Sequence, residues 1–132
     1  MQFGSSGAER ITVFPPVMEA GSTNELGLTV LAQAGALDAL ITGDMEQEGE
    51  RRLLEQTQLP DLEVLIAGHH GSDTSTTWEL LDQTKPELAL VSVGLHNKYG
   101  HPGWNAMERL DQAGAKIYRT DLYGTIEVRL NG

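Results

Sequence analysis

Three groups of residues in this chain carry side chains suited to chemistry. Asp44 follows Gly43 at the end of an apolar run, Leu37-Asp-Ala-Leu-Ile-Thr42. His69 and His70 stand between Gly68 and Gly71 at the end of a second run, Leu62-Glu-Val-Leu-Ile-Ala67. The third group, His96-Asn-Lys98-Tyr-Gly-His101-Pro, gathers imidazole, amide, ammonium and phenol in one polar stretch. A carboxylate and two imidazoles delivered by two strand ends make a partial metal site, with Asp44, His69 and His70 as its ligands. Extended backbone sends adjacent side chains to opposite sides, so one histidine is the direct ligand and the other orients it or faces substrate. The reading favours His69, the first residue off the strand. Taken alone, Asp44 reads as a helix cap, and its metal role rests on the second strand end. The helix expected after His101 opens on an anion-binding terminus. Its loop therefore reads either as a phosphate- or leaving-group-contacting surface, with Lys98 and His101 as catalytic candidates, or as an ordinary surface loop with His101 as the cap.

Such groups need strands that end together, as at the carboxyl edge of an open α/β sheet. Residues 1–8 read as a linker or disordered end, and 9–132 as one folded unit. Glu9–Phe14 is β-prone and stopped by Pro15-Pro16, and 17–25 reads as a loop. Leu28–Gln33 and Leu37–Thr42, joined through Gly35, read as a hairpin. The period then changes: 45–58 is rich in Glu, Gln, Arg and Leu, a helix ended by Pro60, with Glu48 and Arg52 paired on its surface. A strand follows over 63–67. Thr76 with Glu79 fits a capping box opening a helix to about Gln83, then a strand spans 87–93. Pro102 suits a first helical position and Gly114 a terminus, so 102–113 is a helix, with Ala106, Met107, Leu110 and Ala113 on one face. Lys116–Tyr118 is a strand, Asp121–Gly124 a turn and Thr125–Leu130 a last strand. Strands alternating with helices of this length argue an α/β layered fold with a mixed sheet. Ser72, Asp73 and Asp121 read as turn formers, and Trp78 and Trp104 as packing residues on helices.

The chain's 132 residues suffice for one domain. The longest apolar stretches are strand-sized, so nothing is expected to span a bilayer, and no signal core opens the sequence. Cysteine is absent, which excludes disulfides and thiolate zinc ligation. With 19 acidic and 9 basic residues the net charge is -10, so polyanion binding needs local cations, from bound metal or from a basic surface elsewhere in a larger protein. No G-x-S-x-G elbow and no Walker loop occurs.

In order, Ile41-Thr-Gly-Asp44, Gly68-His-His-Gly-Ser72, Ser92-Val-Gly94 with Asn97-Lys-Tyr-Gly-His-Pro102, and Tyr118-Arg-Thr-Asp121 with Gly124 form a series. It resembles the metallo-β-lactamase-like domain at the C-terminal end of ComEC-type competence proteins, which form the DNA-uptake channel of transformable bacteria. The resemblance runs from about Glu9 to the end. It implies an αββα sandwich, a dinuclear Zn²⁺ or Mn²⁺ site, and hydrolysis of phosphodiesters in incoming DNA. Asp44 would be the bridging carboxylate and His69 or His70 the late metal-binding histidine, with Lys98, Tyr99 and His101 in the loop beside them. The implied partners are DNA and the rest of the channel protein, and the implied location is the bacterial cell membrane through that parent, this segment being soluble without lipid contact of its own.

The superfamily's early His-x-(His/Asp)-x-Asp-His motif is missing, since no histidine precedes His69. The expectation is therefore the C-terminal half of a hydrolase domain, inactive by itself. The competing reading is a non-catalytic module that docks on the channel protein, or dimerises, through an exposed sheet face.

Overall fold

Among the described residues, seven strands hydrogen-bond into one mixed sheet in the order of the sequence. The computed structural model describes residues 2–3, 9–16 and 27–130. The loop expected over 17–25, and most of the linker expected over 1–8, lie outside these residues. Strands β1 (Gln2–Phe3), β2 (Glu9–Phe14), β3 (Thr29–Ala34) and β4 (Leu37–Ile41) run antiparallel. The β3–β4 hairpin turns at Gly35, whose φ of +59° suits a residue without Cβ. From β4 onward the pairing is parallel, through β5 (Val64–Ile66), β6 (Leu88–Val91) and β7 (Lys116–Arg119). The crossovers carry α1 (Gln47–Gln56), α2 (Trp78–Thr84) and α3 (Trp104–Gln112), and a single turn, α4 (Thr120–Tyr123), follows β7. The expected mixed α/β fold is the observed one.

Alternation along the strands places Leu31, Leu40, Leu65, Ala89 and Ile117 in one cross-strand row. That row packs with Leu53 of α1, Leu80 and Leu81 of α2 and Leu110 of α3, so all three helices cover the same face. On α1, Glu48 accepts from Arg52 Nε at 3.1 Å, the pair expected on its surface.

The opposite face is also apolar. Its rows run Ile11, Ala32, Ala39, Val64, Leu88 and, one step on, Val13, Val30, Ile41, Ile66, Leu90, Tyr118. No helix lies on it among the described residues; instead Ile126–Arg129 bound a cavity of about 290 Å³ with Leu88, Leu90 and Tyr118. A Cβ built on Gly35 would sit 3.8 Å from Leu130 Cδ2, so the segment crosses the strands as far as the β3–β4 turn. Ile11, Ile41 and Tyr118 stay 45%, 40% and 37% exposed.

Several expected details are corrected. Thr125–Leu130 is not a strand: it alternates as one, but pairs with no described strand and lies across the sheet instead. Thr76 does not cap α2. Its φ is +58°, and Thr77 is the cap, its hydroxyl accepting from Leu80 N–H at 3.4 Å. Helix α3 opens at Trp104 with Gly103 as the capping position, so neither Pro102 nor His101 starts or caps it. Asp121–Gly124 is helical over Thr120–Tyr123, with Asp121 held by Arg119 at 2.7 Å. Trp104 is 78% exposed and Trp78 half-exposed, so neither is a core packing residue.

Candidate metal centre at the carboxyl rim

Because β4, β5 and β6 are parallel, their carboxyl ends deliver Asp44, His69-His70 and Ser92 to one rim. Two loops meet there closely. The Gly43 carbonyl accepts from His69 N–H at 2.8 Å, and the Met45 carbonyl from the buried Ser75 hydroxyl at 2.6 Å. A Cβ on Gly68 would come within 2.9 Å of Thr42 Oγ1 and 3.1 Å of the Met45 carbonyl, so this approach requires glycine.

Asp44 does not cap α1, which begins three residues later at Gln47. Its Oδ1 lies 3.7 Å from His70 Nε2. The other ring nitrogen of His70, Nδ1, is 2.7 Å from the Ser92 carbonyl. A carbonyl can only accept, so Nδ1 carries a proton, and in the neutral ring Nε2 is the nitrogen left with a lone pair. Two ligands on one ion, each at about 2.0–2.2 Å in tetrahedral geometry, stand roughly 3.4 Å apart. The 3.7 Å between carboxylate and imidazole is close to that spacing, and the backbone carbonyl holds the far nitrogen of the ring.

His69 and His70 are not extended: both are left-handed, at φ +50° and +57°. The premise that they point to opposite sides of a strand therefore does not apply. His69 Nδ1 lies 3.3 Å from Glu46 Oε1, and its ring centroid is 5.3 Å from that of His101 and 6.4 Å from that of His70. His101 is held below the ordinary histidine range, first by burial and then by the neighbouring His69 and His70. Asp44, His69, His70 and His101 thus come together. Lys98 does not join them; it is exposed and makes no hydrogen bond or ion pair with a described residue. Among the described residues no group of three or more His, Cys, Asp or Glu is arranged to hold an ion.

The structure adds residues that the sequence reading passed over. Glu46 faces His69. Glu50, fully buried, accepts from Thr76 N–H at 2.6 Å, Thr77 N–H at 2.8 Å and the Thr77 hydroxyl at 2.9 Å. Arg109 of α3 donates to the carbonyls of Asp73, Ser75 and Thr76, each at 2.9 Å. An acceptor on one helix and a donor on another therefore clamp the 73–77 segment that follows the histidines. Asp73 is more than a turn former, because its Oδ1 accepts from Ala106 N–H at 2.9 Å and so caps α3 from a distance. Only Asp73, by its side-chain type, carried a hint of this. A glutamate on an amphipathic helix ordinarily faces water, and nothing local marks Glu50 as buried.

Among the described residues no helix is long and apolar enough to cross a membrane. No family model matches the chain. It is 34% identical over 115 residues to ComE operon protein 3 of Bacillus subtilis, covering 87% of this chain and 15% of that protein. Competence protein ComA of Neisseria gonorrhoeae is 38% identical over 74% of the chain and 14% of its own length. Recombination protein 2 of Haemophilus influenzae is 35% identical over 80% of the chain and 13% of its own. The chain is thus homologous to one segment, about a seventh of the whole, of competence proteins of the ComEC family.

Proposed function

We infer that this chain is the C-terminal part of a metal-dependent hydrolase domain that acts on DNA phosphodiesters during competence DNA uptake. The observation that carries the reading is the Asp44–His70 pair, 3.7 Å apart, with the His70 tautomer fixed by Ser92. The two suit Zn²⁺ or Mn²⁺ in donor type. They are fewer than the three protein ligands of a catalytic zinc site, and the rest would come from the part of the longer protein that this chain does not span. An ion bound there would lower the pKa of water and polarise a phosphoryl oxygen. In this reading the chain's own residues hold and orient: Asp44 and His70 as ligands, His69 with Glu46 beside them, and His101, or Lys98 from the exposed loop, toward the leaving group. The αββα sandwich is part of the same proposal, since an apolar second sheet face is what a second layer would cover.

The test uses the longer protein with Mn²⁺ or Zn²⁺. Asp44→Ala is expected to lower metal uptake and reduce DNA cleavage by ~100-fold or more, a loss at least as large as orienting groups around metal ligands produce. Cleavage and uptake that survive the substitution would remove Asp44 from the mechanism.

A second reading is favoured by one observation, the apolar face left with Ile11, Ile41 and Tyr118 part-exposed. Such a surface suits docking, on the rest of a channel protein or on a second copy. Sedimentation of the 132-residue chain is expected to show concentration-dependent dimerisation if the second copy is the partner; a monomer at all concentrations would rule that partner out.

A further inference from the structure

The segment between β6 and α3 departs from the chain's prevailing charge. Acidic residues outnumber basic ones 19 to 9, yet none occurs from Leu88 to Met107, a run that holds His96, Lys98 and His101. The same run carries two of the most exposed large side chains, Tyr99 at 82% and Trp104 at 78%.

Tyr99 is exposed but held. The Asn97 side-chain oxygen accepts from the N–H groups of Tyr99 at 2.9 Å and His101 at 3.0 Å, which folds the loop into a turn. The phenol ring stacks beside the His101 ring, with centroids 6.1 Å apart and planes 28° apart. Next inward is His69, then His70. Tyr99 is therefore the outermost of four rings in a row that ends at the Asp44–His70 pair.

We propose that Tyr99 is a stacking platform for an unpaired base of a single-stranded nucleic acid, whose backbone passes Lys98 toward that pair. The inference rests on the DNA reading above and names the form of DNA taken. A ring presented edge-free to water offers its face, and every base has a π-face to match, whatever the sequence. In a duplex those faces are already covered by neighbouring bases. A protein partner would give no reason for the run to exclude carboxylates, whereas a phosphate backbone does.

Fluorescence anisotropy of the 132-residue chain in EDTA tests this without metal or cleavage, using an oligo(dT), an abasic strand with as many phosphates, and a duplex. Oligo(dT) is expected to bind tightest. Tyr99→Ala should weaken it about 5- to 100-fold and Tyr99→Phe by about twofold or less, while the abasic strand is unaffected by either. Equal binding of oligo(dT) by wild type and Tyr99→Ala overturns the proposal, as does equal binding of all three DNAs or of none. Tyr99-dependent oligo(dT) binding by the chain, with no metal uptake by the longer protein, would instead sink the hydrolase reading and leave the platform standing.

Discussion

Glu50→Ala is expected to destabilise the chain by about 3–5 kcal/mol, the range for deleting one side of a buried charged network. Three donors converge on the Glu50 carboxylate, two of them backbone N–H groups, of the buried Thr76 and the half-buried Thr77. Alanine leaves those donors without an acceptor and adds a cavity. Urea denaturation of both proteins measures the difference, and a shift within about 1 kcal/mol would show that the segment finds other partners. The same carboxyl has a pH signature. Burial raises its pKa above the ordinary value, against the opposing pull of the Thr76 and Thr77 donors and of Arg109. The folded state therefore keeps this proton to higher pH than the unfolded chain does. Its contribution is most favourable below the unfolded carboxyl range, near pH 4.3, and declines as pH rises from there through the folded pKa. Glu50→Ala removes that slope, so the wild-type and variant stability curves should draw together as pH rises through this range.

Gly71→Ala is the second large effect, for a different reason. Gly71 lies at φ +78°, and its Cβ would sit 2.7 Å from Pro102 Cβ, 3.1 Å from Val91 Cγ1 and 3.2 Å from Met107 Cε. The left-handed backbone alone is worth about 1–2 kcal/mol against a residue with a side chain, and overpacking adds about 1–3 kcal/mol. Gly100 is the matched comparison, at φ +74° with nothing within 4 Å. Gly100→Ala should show only the backbone part, and Gly71→Ala about twice as much, with NMR shifts spreading into His101 because the two loops are pushed apart. Equal losses at the two glycines would mean that Pro102 yields freely.

Strands β2 to β7, the three longer helices and the shared rim were legible because each depends on local pattern: apolar runs of strand length, Glu/Gln/Arg/Leu-rich spans, and chemistry placed after glycine; β1 lay in a stretch read as linker. The arrival of Asp44, His69 and His70 at one rim was legible for the same reason. What stayed hidden depends on partners far along the chain. Thr76 looks like a cap by its spacing to Glu79, but its N–H is taken by Glu50, 26 residues away, and the cap shifts to Thr77. Asp73 caps a helix that begins 31 positions later. The competition between His69 and His70 could not be judged from extended geometry, because both residues leave the extended region. Thr125–Leu130 shows the limit of alternation as a signal. It reports that one side of a segment is apolar, and a strand exists only where another backbone supplies hydrogen bonds.

That last segment has a kinetic consequence. Ile126–Leu130 occupies, within its own molecule, ground that any visitor to the same sheet face must claim. Its local concentration is that of a tethered competitor, independent of how dilute the protein is. Arrival on that face then requires the segment to lift or to make room, so association is slowed and weakened by the fraction of time the segment is down. Shortening the chain before Ile126 would trade this self-shielding for faster capture and greater stickiness.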